Sequence, residues 1–316
     1  MNDNKNDEQF LILPQLTAST DSSVPEYFAT ATPGTFNIRG AKGVLDDVSF
    51  SRERGFYNSS FYLALCTDDP NAQIRYTLDG SRPTAVHGII YNPASRPLIS
   101  KTTCVRAVAV RPGYLDSPVG TNTYIFLSEV IRQSGVPGPN WPTGSVNGQT
   151  IDYGMDQRVV NDSRYSGLIL NAMRAIPTIS IVTDLANLFD PSIGIYVHAD
   201  QRSRAWERPT SVELINPDGS EGFQIDGGLR MRGGYSRFGD NPKHAFRLFF
   251  RDEYGQDRLE FPLFGDEGVD EFRCVDLRTS MNYSWSFDPY SGGPCPSSTN
   301  NTFVRDEFSR EQTCYS

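Results

Sequence analysis

Histidine is scarce in this chain, and long apolar runs are missing. None of its three histidines, His87, His198 and His244, stands at ligand spacing from a cysteine, so no zinc site is expected. No apolar run reaches the roughly 18 residues that cross a bilayer, so we expect no membrane span. The net charge of −9 argues against nucleic acid or an anionic membrane as the main partner.

The five cysteines form no Cys-x-x-Cys pair. Cys66 and Cys104 each fall in a predicted strand of one domain, where they form either a disulfide or two free, small buried residues. Cys295 and Cys314 flank the last segment and are a second candidate pair. The odd count leaves at least one thiol free.

The common catalytic signatures are also absent. There is no Gly-x-Ser-x-Gly for a serine nucleophile and no carboxylate-pairing motif for glycoside hydrolysis. His-Arg-Asp-x-x-x-x-Asn and Asp-Phe-Gly, which supply the base and the metal-binding groups of protein kinases, do not occur either. Arg305-Asp306 is the nearest imitation, but Glu311 stands where the asparagine should be. We therefore assign no catalytic residue.

What the chain does have is turn-forming residues, with 21 prolines and 27 glycines among 316 residues. The length predicts two or three domains, and this composition predicts a loop-rich, mainly β architecture. Short strands are predicted at 61–65, 73–78 and 103–110. Val105, Ala107 and Ala109 alternate with their neighbours, which is the pattern of a half-buried strand. The spacing favours a small immunoglobulin-like β-sandwich.

Residues 46–127 resemble a known accessory module. The strings IRYTLDGSRPT and VRAVAVRPGYLDSPVGTNTYIF are similar to the chitobiase/β-hexosaminidase C-terminal domain. The resemblance implies a spacer or a weak glycan-facing domain without catalytic residues. Residues 1–45 are expected to be a leader, or the end of a lamin-tail-like domain that EYFATATPGTFN resembles. Residues 128–165 are expected to be a linker in which Trp141 and Tyr153 pack together.

The most informative segment is a glycine turn between two predicted strands, within residues 227–250. The strand GGLRMR, the turn and the strand KHAFRLFF bring cationic side chains together. Glycine lets backbone N–H groups approach an anion, and a nearby Lys or Arg adds charge for phosphate oxygens. The alternative is a tight hairpin with solvated cations. The candidate nucleotide-binding residues are Arg232, Gly233, Gly234, Ser236, Lys243 and Arg247.

Two further expectations concern the cations of this hairpin. Lys243 and Arg247 are four residues apart on a strand, so they share one face, and one of them is expected to bind the phosphates. Alternation alone does not say which. Glu207 or Glu213 is the candidate partner of that cation, as a helix-borne Glu is in kinases, although a surface position also fits either carboxylate.

The wider segment resembles the spore-coat protein H (CotH) kinase-like family, whose members carry an Arg-Gly-x-Ser turn and then a Pro-Lys-x-x-aromatic-Arg/Lys strand. Further matching blocks are IPTISIVTDLANLFDPSIGIYVH, WERPTSVELINPDG, VDLRTSMNYSWSF and FVRDEFSR. The resemblance spans residues 153–310. It implies the α+β upper lobe of a kinase-like fold over residues 166–316, with ATP and Mg²⁺ as cofactors and a protein phosphoacceptor as partner. In the family the acidic metal-binding lobe follows the FVRDEFSR helix, so we expect an incomplete lobe that is inactive alone.

The resemblance also implies a secreted or surface-attached bacterial multidomain protein, although the polar N-terminus lacks the layout of a signal peptide. We predict helices at 163–176, 185–189 and 303–310, strands at 178–183, 211–215, 222–225 and 272–277, and an insertion at 288–299. The rival interpretation is a non-catalytic carbohydrate- or envelope-binding module whose contact candidates are Tyr57, Tyr62 and Tyr76.

Overall fold

The computed structural model describes Tyr27 and residues 40–136, 138, 140–239 and 243–279. It confirms the predicted mainly β architecture, because eighteen strands form six sheets in this part of the chain. The four α-helices found there have five residues or fewer. Within the same residues no helix is both long and apolar enough to cross a membrane.

The first half of the described chain is built from nine strands. In chain order they are β1 (Ser49–Phe50), β2 (Gly55–Phe56), β3 (Phe61–Tyr62), β4 (Leu65–Cys66), β5 (Gln73–Thr77), β6 (Ile89–Ile90), β7 (Leu98–Ile99), β8 (Thr103–Val110) and β9 (Gly120–Ile125). A five-stranded sheet has the order β2-β9-β8-β5-β6, in which β2 and β9 run parallel and the other neighbours antiparallel. Two strand pairs, β1–β4 and β3–β7, accompany it.

Strand β8 is more deeply buried than its alternation predicts. Val105, Ala107 and Ala109 face the main apolar cluster of this half, as expected. However, Arg106 and Val108 on the opposite face are also buried. Arg106 lies beside residues of the second half such as Asp184 and Asp226, and Val108 packs against Val110 and Val119, which strand alternation cannot reveal.

The second half contains further short elements around another sheet. In chain order they are α1 (Leu127–Val130), β10 (Gly144–Val146), β11 (Gln149–Ile151), α2 (Gln157–Val160), α3 (Ile169–Met173), β12 (Thr178–Val182), α4 (Leu185–Phe189), β13 (Arg208–Ile215), β14 (Gln224–Arg232), β15 (Ala245–Phe249), β16 (Leu259–Glu260), β17 (Glu271–Phe272) and β18 (Cys274–Leu277). The sheet order β12-β13-β14-β15-β18 is an antiparallel meander. No kinase lobe is evident among the described residues.

The predicted helix at residues 163–176 is wrong in extent. Only α3 is helical there, and turns precede it. Leu168 and Ile176, which were expected on a buried stripe, are exposed. Met173 packs against the cluster of Ile125, Leu127 and Ile215, but most of the stripe stays exposed. Because isolated helices of this length are marginal in water, so little packing does not hold three turns together.

Several other expectations are confirmed. The helix at residues 185–189 and the hairpin between the strands around 211–215 and 222–225 are present, with both hairpin strands longer than predicted. Trp141 and Tyr153 pack edge-to-face with ring centroids 5.1 Å apart. The predicted helix at 303–310, the insertion at 288–299, Cys295, Cys314 and most of the N-terminal segment lie outside the described residues.

The two five-stranded sheets are joined by a buried polar cluster, which we call the Glu213 junction. The Glu213 carboxylate accepts hydrogen bonds from the Thr123 backbone N–H (3.0 Å) and hydroxyl. Arg54 Nε lies 3.3 Å from the same carboxylate, and the Ser180 hydroxyl is 2.8 Å from that of Thr123. Burial raises the pKa of Glu213. Strand β13 is thereby tied to β9.

Candidate functional site

The glycine turn after β14 is held by its own backbone and one hydroxyl. Gly233 has φ +95°, and a Cβ atom at this position would overlap the Oγ atom of Ser236. The Ser236 hydroxyl donates to the Arg232 carbonyl (2.9 Å), which closes the turn. His244 stands behind the turn, with Nδ1 2.8 Å from the Ser236 carbonyl, and its burial lowers its pKa. The local sequence therefore needs glycine at position 233.

A cavity of about 440 Å³ opens beside this turn, and we call it the arginine cleft. Its floor is the face of β14 and β15, and one wall is the loop at residues 201–203. Arginine dominates its surface, with side chains from four segments, namely the loop, β14, the turn after it and β15. The lining residues are Gln201, Arg202, Ser203, Arg230, Met231, Arg232, Gly233, Arg237, Arg247 and Phe249.

The register of three strands brings two predicted cations onto one carboxylate. Arg247 stands opposite Asp276 of β18, and Arg232 lies two residues along β14 from the partner of Arg247. Asp276 accepts from Arg232 Nε (2.7 Å) and Arg247 Nη2 (2.8 Å). The Arg247 hydrogen bonds hold the pKa of Asp276 below its usual range, and the same pairing raises the pKa of Arg247.

Arg230 lies deeper in the cleft than the other two. Its guanidinium stacks on the Phe249 ring, 3.8 Å from the centroid, and Nε is 3.2 Å from the buried Glu207 carboxylate. Arg251 stacks on Phe249 as well and binds Glu207 through Nε at 2.8 Å. Burial, and then repulsion from Arg251 and Arg247, lowers the pKa of Arg230. One buried carboxylate is thus shared by two guanidinium groups.

Arg237 holds the wall of the cleft in place. Its guanidinium donates to the carbonyls of Met231 and Gly233 on the turn (2.5 Å each), and to those of Ala199 and Gln201 (2.8 and 2.7 Å). Burial lowers its pKa, and the positive charge of Arg202 adds to that effect. All four acceptors are neutral carbonyls, so the charge of Arg237 has no carboxylate against it in these contacts.

The structure groups some of the predicted residues and separates others. Arg232, Gly233 and Arg247 line the arginine cleft, and Gly234 is exposed next to it. Ser236 instead turns inward, and Lys243 is an exposed residue that is not part of the lining. Of Lys243 and Arg247, Arg247 is the one that lines the cleft, and which of them binds a phosphate stays a prediction.

The predicted carboxylate partners take other roles. Glu207 binds Arg230 and Arg251, and Glu213 belongs to the junction between the sheets. The carboxylate that pairs with Arg247 is Asp276. Arg230, Arg237 and Asp276 were missed by the sequence reasoning, although Arg230 and Arg232 two residues apart on a strand were a signal that both share a face.

Cysteine and metal chemistry add no second site in the part of the chain that the structure describes. Cys66 and Cys104 are both free, so the disulfide alternative is wrong, and Cys274 is free as well. Burial raises the pKa of the Cys104 thiol to about 12. No cluster of three or more His, Cys, Asp or Glu side chains that could hold a metal ion occurs among residues 40–136, 138, 140–239 and 243–279.

One segment of the chain matches a known protein family. Residues 63–124 match the Fn3-associated family. The match covers β4 to β9, where the sequence resembles the chitobiase module, but no match supports that module or the CotH-like family. No curated protein and no solved structure is detectably similar to the chain.

Proposed function

We propose that the arginine cleft binds the phosphate groups of a nucleotide. In this proposal the chain is part of a CotH-like protein, secreted or attached to the cell surface, whose complete form transfers phosphate from ATP to an extracytoplasmic protein. The observation that carries the proposal is the convergence of five arginines beside a glycine turn in a chain of net charge −9. Such a concentration of one sign of charge inside a cavity attracts anions.

The charge balance in the cleft favours an anionic ligand. Asp276 and Glu207 are the two carboxylates that pair with the lining arginines, and Glu207 also serves Arg251. Arg237 donates its hydrogen bonds to neutral carbonyls, and Arg202 is exposed at the rim of the cleft. Guanidinium groups bind phosphate oxygens in a bidentate manner, so this surplus of arginine matches phosphates better than a neutral sugar.

The size of the cleft also fits a nucleotide. A volume of about 440 Å³ lies within the roughly 300–1,000 Å³ of small-molecule and cofactor sites. Arg230 and Arg247 would hold the phosphates, and Arg237 would keep the wall at residues 199–201 in position. The described residues contain no carboxylate cluster that could hold Mg²⁺, so no ligand is assigned to this ion.

The proposed domain assignment follows the same line. The first half, residues 46–127, would be an immunoglobulin-like module of the chitobiase type, for which the Fn3-associated match and the surrounding sheet give support. Residues 166–316 would be the first lobe of the kinase-like fold. The meander of β12 to β18 contributes the nucleotide-binding face in this scheme, and acidic residues outside the described part of the chain would perform the chemistry.

Titration of the protein with a fluorescent ATP analogue tests the proposal. Arg230→Gln and Arg247→Gln should each weaken binding roughly tenfold or more, because each removes a charge-assisted hydrogen bond. Arg258→Gln is the matched control, since Arg258 pairs with Asp257 and Glu271 away from the cleft. Unchanged affinity in both cleft variants, with all proteins folded, would contradict the proposal.

A second candidate is a non-catalytic module that binds carbohydrate or the cell envelope. The observation in its favour is Tyr62, which is 66% exposed on β3 opposite the exposed Leu98 of β7. An exposed aromatic and aliphatic pair on a strand is a contact surface for another molecule. Of the other predicted contacts, Tyr76 is buried and Tyr57 packs against the core.

Polysaccharide pull-down separates this candidate from the first. Under the carbohydrate-binding interpretation, Tyr62→Ala abolishes retention on an insoluble polysaccharide such as chitin or peptidoglycan, and the cleft variants leave retention unchanged. Retention that is absent in the wild-type protein, together with ATP binding, supports the nucleotide interpretation instead.

A further inference from the structure

A second pocket lies between the two halves of the chain, and we call it the interdomain pocket. It has a volume of about 230 Å³ and lies on the side of the sheets away from the main core of the first half. The residues that line it come from both halves. They are Arg82, Arg106, Asp184, Asn187, Pro209, Thr210, Asp226, Glu253 and Tyr254.

Arg106 supplies a buried positive charge to this pocket. Its residue surface is only 4% exposed, and its Nη1 atom donates to the Gly80 carbonyl at 3.3 Å. Its Nε atom is buried and has no hydrogen-bond partner in the described part of the chain. Burial lowers the pKa of this guanidinium. A buried cationic N–H group without an acceptor costs free energy unless a bound molecule accepts its hydrogen bond.

Asp226 supplies a negative charge on the other half of the chain. Its carboxylate accepts a hydrogen bond from Gln224 Nε2 at 3.2 Å, and burial raises its pKa. Arg106 and Asp226 influence each other electrostatically, yet no ion pair within 4 Å joins them. A buried cation and a half-buried anion therefore line one pocket without forming an ion pair.

Three other polar side chains of the pocket already have hydrogen-bond or ion-pair partners. Asp184 accepts a hydrogen bond from the Arg82 backbone N–H at 2.7 Å, and Glu253 forms an ion pair with Arg204. Tyr254 donates to Glu207. Arg82 also lines the pocket and attracts Asp226, but Arg106 is the cation whose buried Nε atom has no acceptor in the described part of the chain, so Arg106 and Asp226 are the pair that a bridging molecule would join.

We propose that the interdomain pocket binds a small zwitterion, namely a free α-amino acid. Its carboxylate would pair with the Arg106 guanidinium, and its ammonium group would pair with Asp226. The volume of the pocket is about half that of the arginine cleft and lies below the roughly 300–1,000 Å³ of sites for drug-sized ligands, which suits a small amino acid better than a nucleotide or an oligosaccharide. The proposal does not depend on the arginine cleft.

Thermal unfolding of the whole chain in the presence of small ligands tests the charge requirement. Glycine, L-alanine, L-serine and L-aspartate are each added at millimolar concentration, and methylamine and acetate serve as probes that carry one charge. At least one amino acid should raise the unfolding temperature, and neither single-charge probe should do so. If no amino acid has an effect, or if one single-charge probe matches the amino acids, the proposal is overturned.

A pair of aspartate variants then locates the effect. Asp226→Asn keeps the size of the side chain and should weaken binding of the active amino acid roughly tenfold or more, measured by calorimetry. Asp218→Asn is the control, because Asp218 is on the turn of the same β13–β14 hairpin and away from the pocket. An affinity that Asp226→Asn leaves unchanged would place the ligand elsewhere and overturn the proposal.

Discussion

Gly233 is the residue on which the shape of the turn depends. A side chain at this position would be strained by the positive φ, and its Cβ atom would also overlap Ser236 Oγ. Gly233→Ala should lower the free energy of unfolding by about 1–3 kcal/mol, as measured by urea titration. Gly234→Ala is the matched control, because a Cβ atom there has open space and should cost far less. Equal losses in the two variants would show that the turn does not impose this conformation.

Asp276 makes the stability of the fold depend on pH. Its pKa is lowered in the folded protein, chiefly by hydrogen bonding to Arg247. A carboxyl with a lowered pKa stabilises the fold above its unfolded pKa of about 3.9, and this contribution is lost as pH falls through the folded pKa. Asp276→Asn should therefore reduce stability at pH 7 and leave it nearly unchanged at the acid end.

Urea unfolding of both proteins from pH 7 down to pH 2.5 measures this difference. The wild-type and variant curves of stability against pH should converge at low pH. Curves that stay parallel over the whole range would mean that the ion pairs of Asp276 do not stabilise the fold.

At the scale of elements, the contact between β9 and β13 rests on the Glu213 junction. Glu213→Ala removes the acceptor of Thr123 and leaves Arg54 without its carboxylate, so the expected loss is about 3–5 kcal/mol in free energy of unfolding. Glu221→Ala, at an exposed position in the β13–β14 connection, is the control and should stay within about 0.5 kcal/mol. A similar small effect in both variants would mean that the two sheets are held together by other contacts.

The elements were predictable where local chemistry decides them. Strand β8, the β13–β14 hairpin and the short helix α4 are visible in the sequence and present in the structure. The helix expected at residues 163–176 is shorter than predicted because most of its apolar stripe stays exposed, although Met173 packs against the cluster of Ile125, Leu127 and Ile215. The burial of Arg106 could not be foreseen, since it depends on a second sheet that lies about a hundred residues away along the chain.

The candidate site was predictable in part for the same reason. The glycine turn and Arg247 follow from a local pattern of strand, turn and strand. The pairing of Arg247 with Asp276 comes from the register of a later strand, and two of the contacts of Arg237 come from the loop between α4 and β13. Ser236 was assigned to the ligand, whereas its hydroxyl closes the turn, which only the backbone conformation could show.

At the scale of the whole molecule, the distribution of charge is more informative than its sum. The chain is acidic, and yet five arginines meet in one cavity on the second sheet. The first half of the described chain, by contrast, presents β3 and β6 with exposed Tyr62, Ile89 and Ile90. The two halves thus present different surfaces, one suited to an anion and one to an apolar contact.

The most direct test of the central claim is one calorimetric series on the wild-type protein. ATP, ADP, AMP and adenosine are titrated without Mg²⁺ at low and at high salt. We predict that affinity falls with each phosphate removed, that adenosine does not bind, and that high salt weakens the binding of ATP, because exposed charge pairs are screened. Adenosine binding as well as ATP, or no binding of ATP at millimolar concentration, would contradict the assignment of the arginine cleft as a phosphate site.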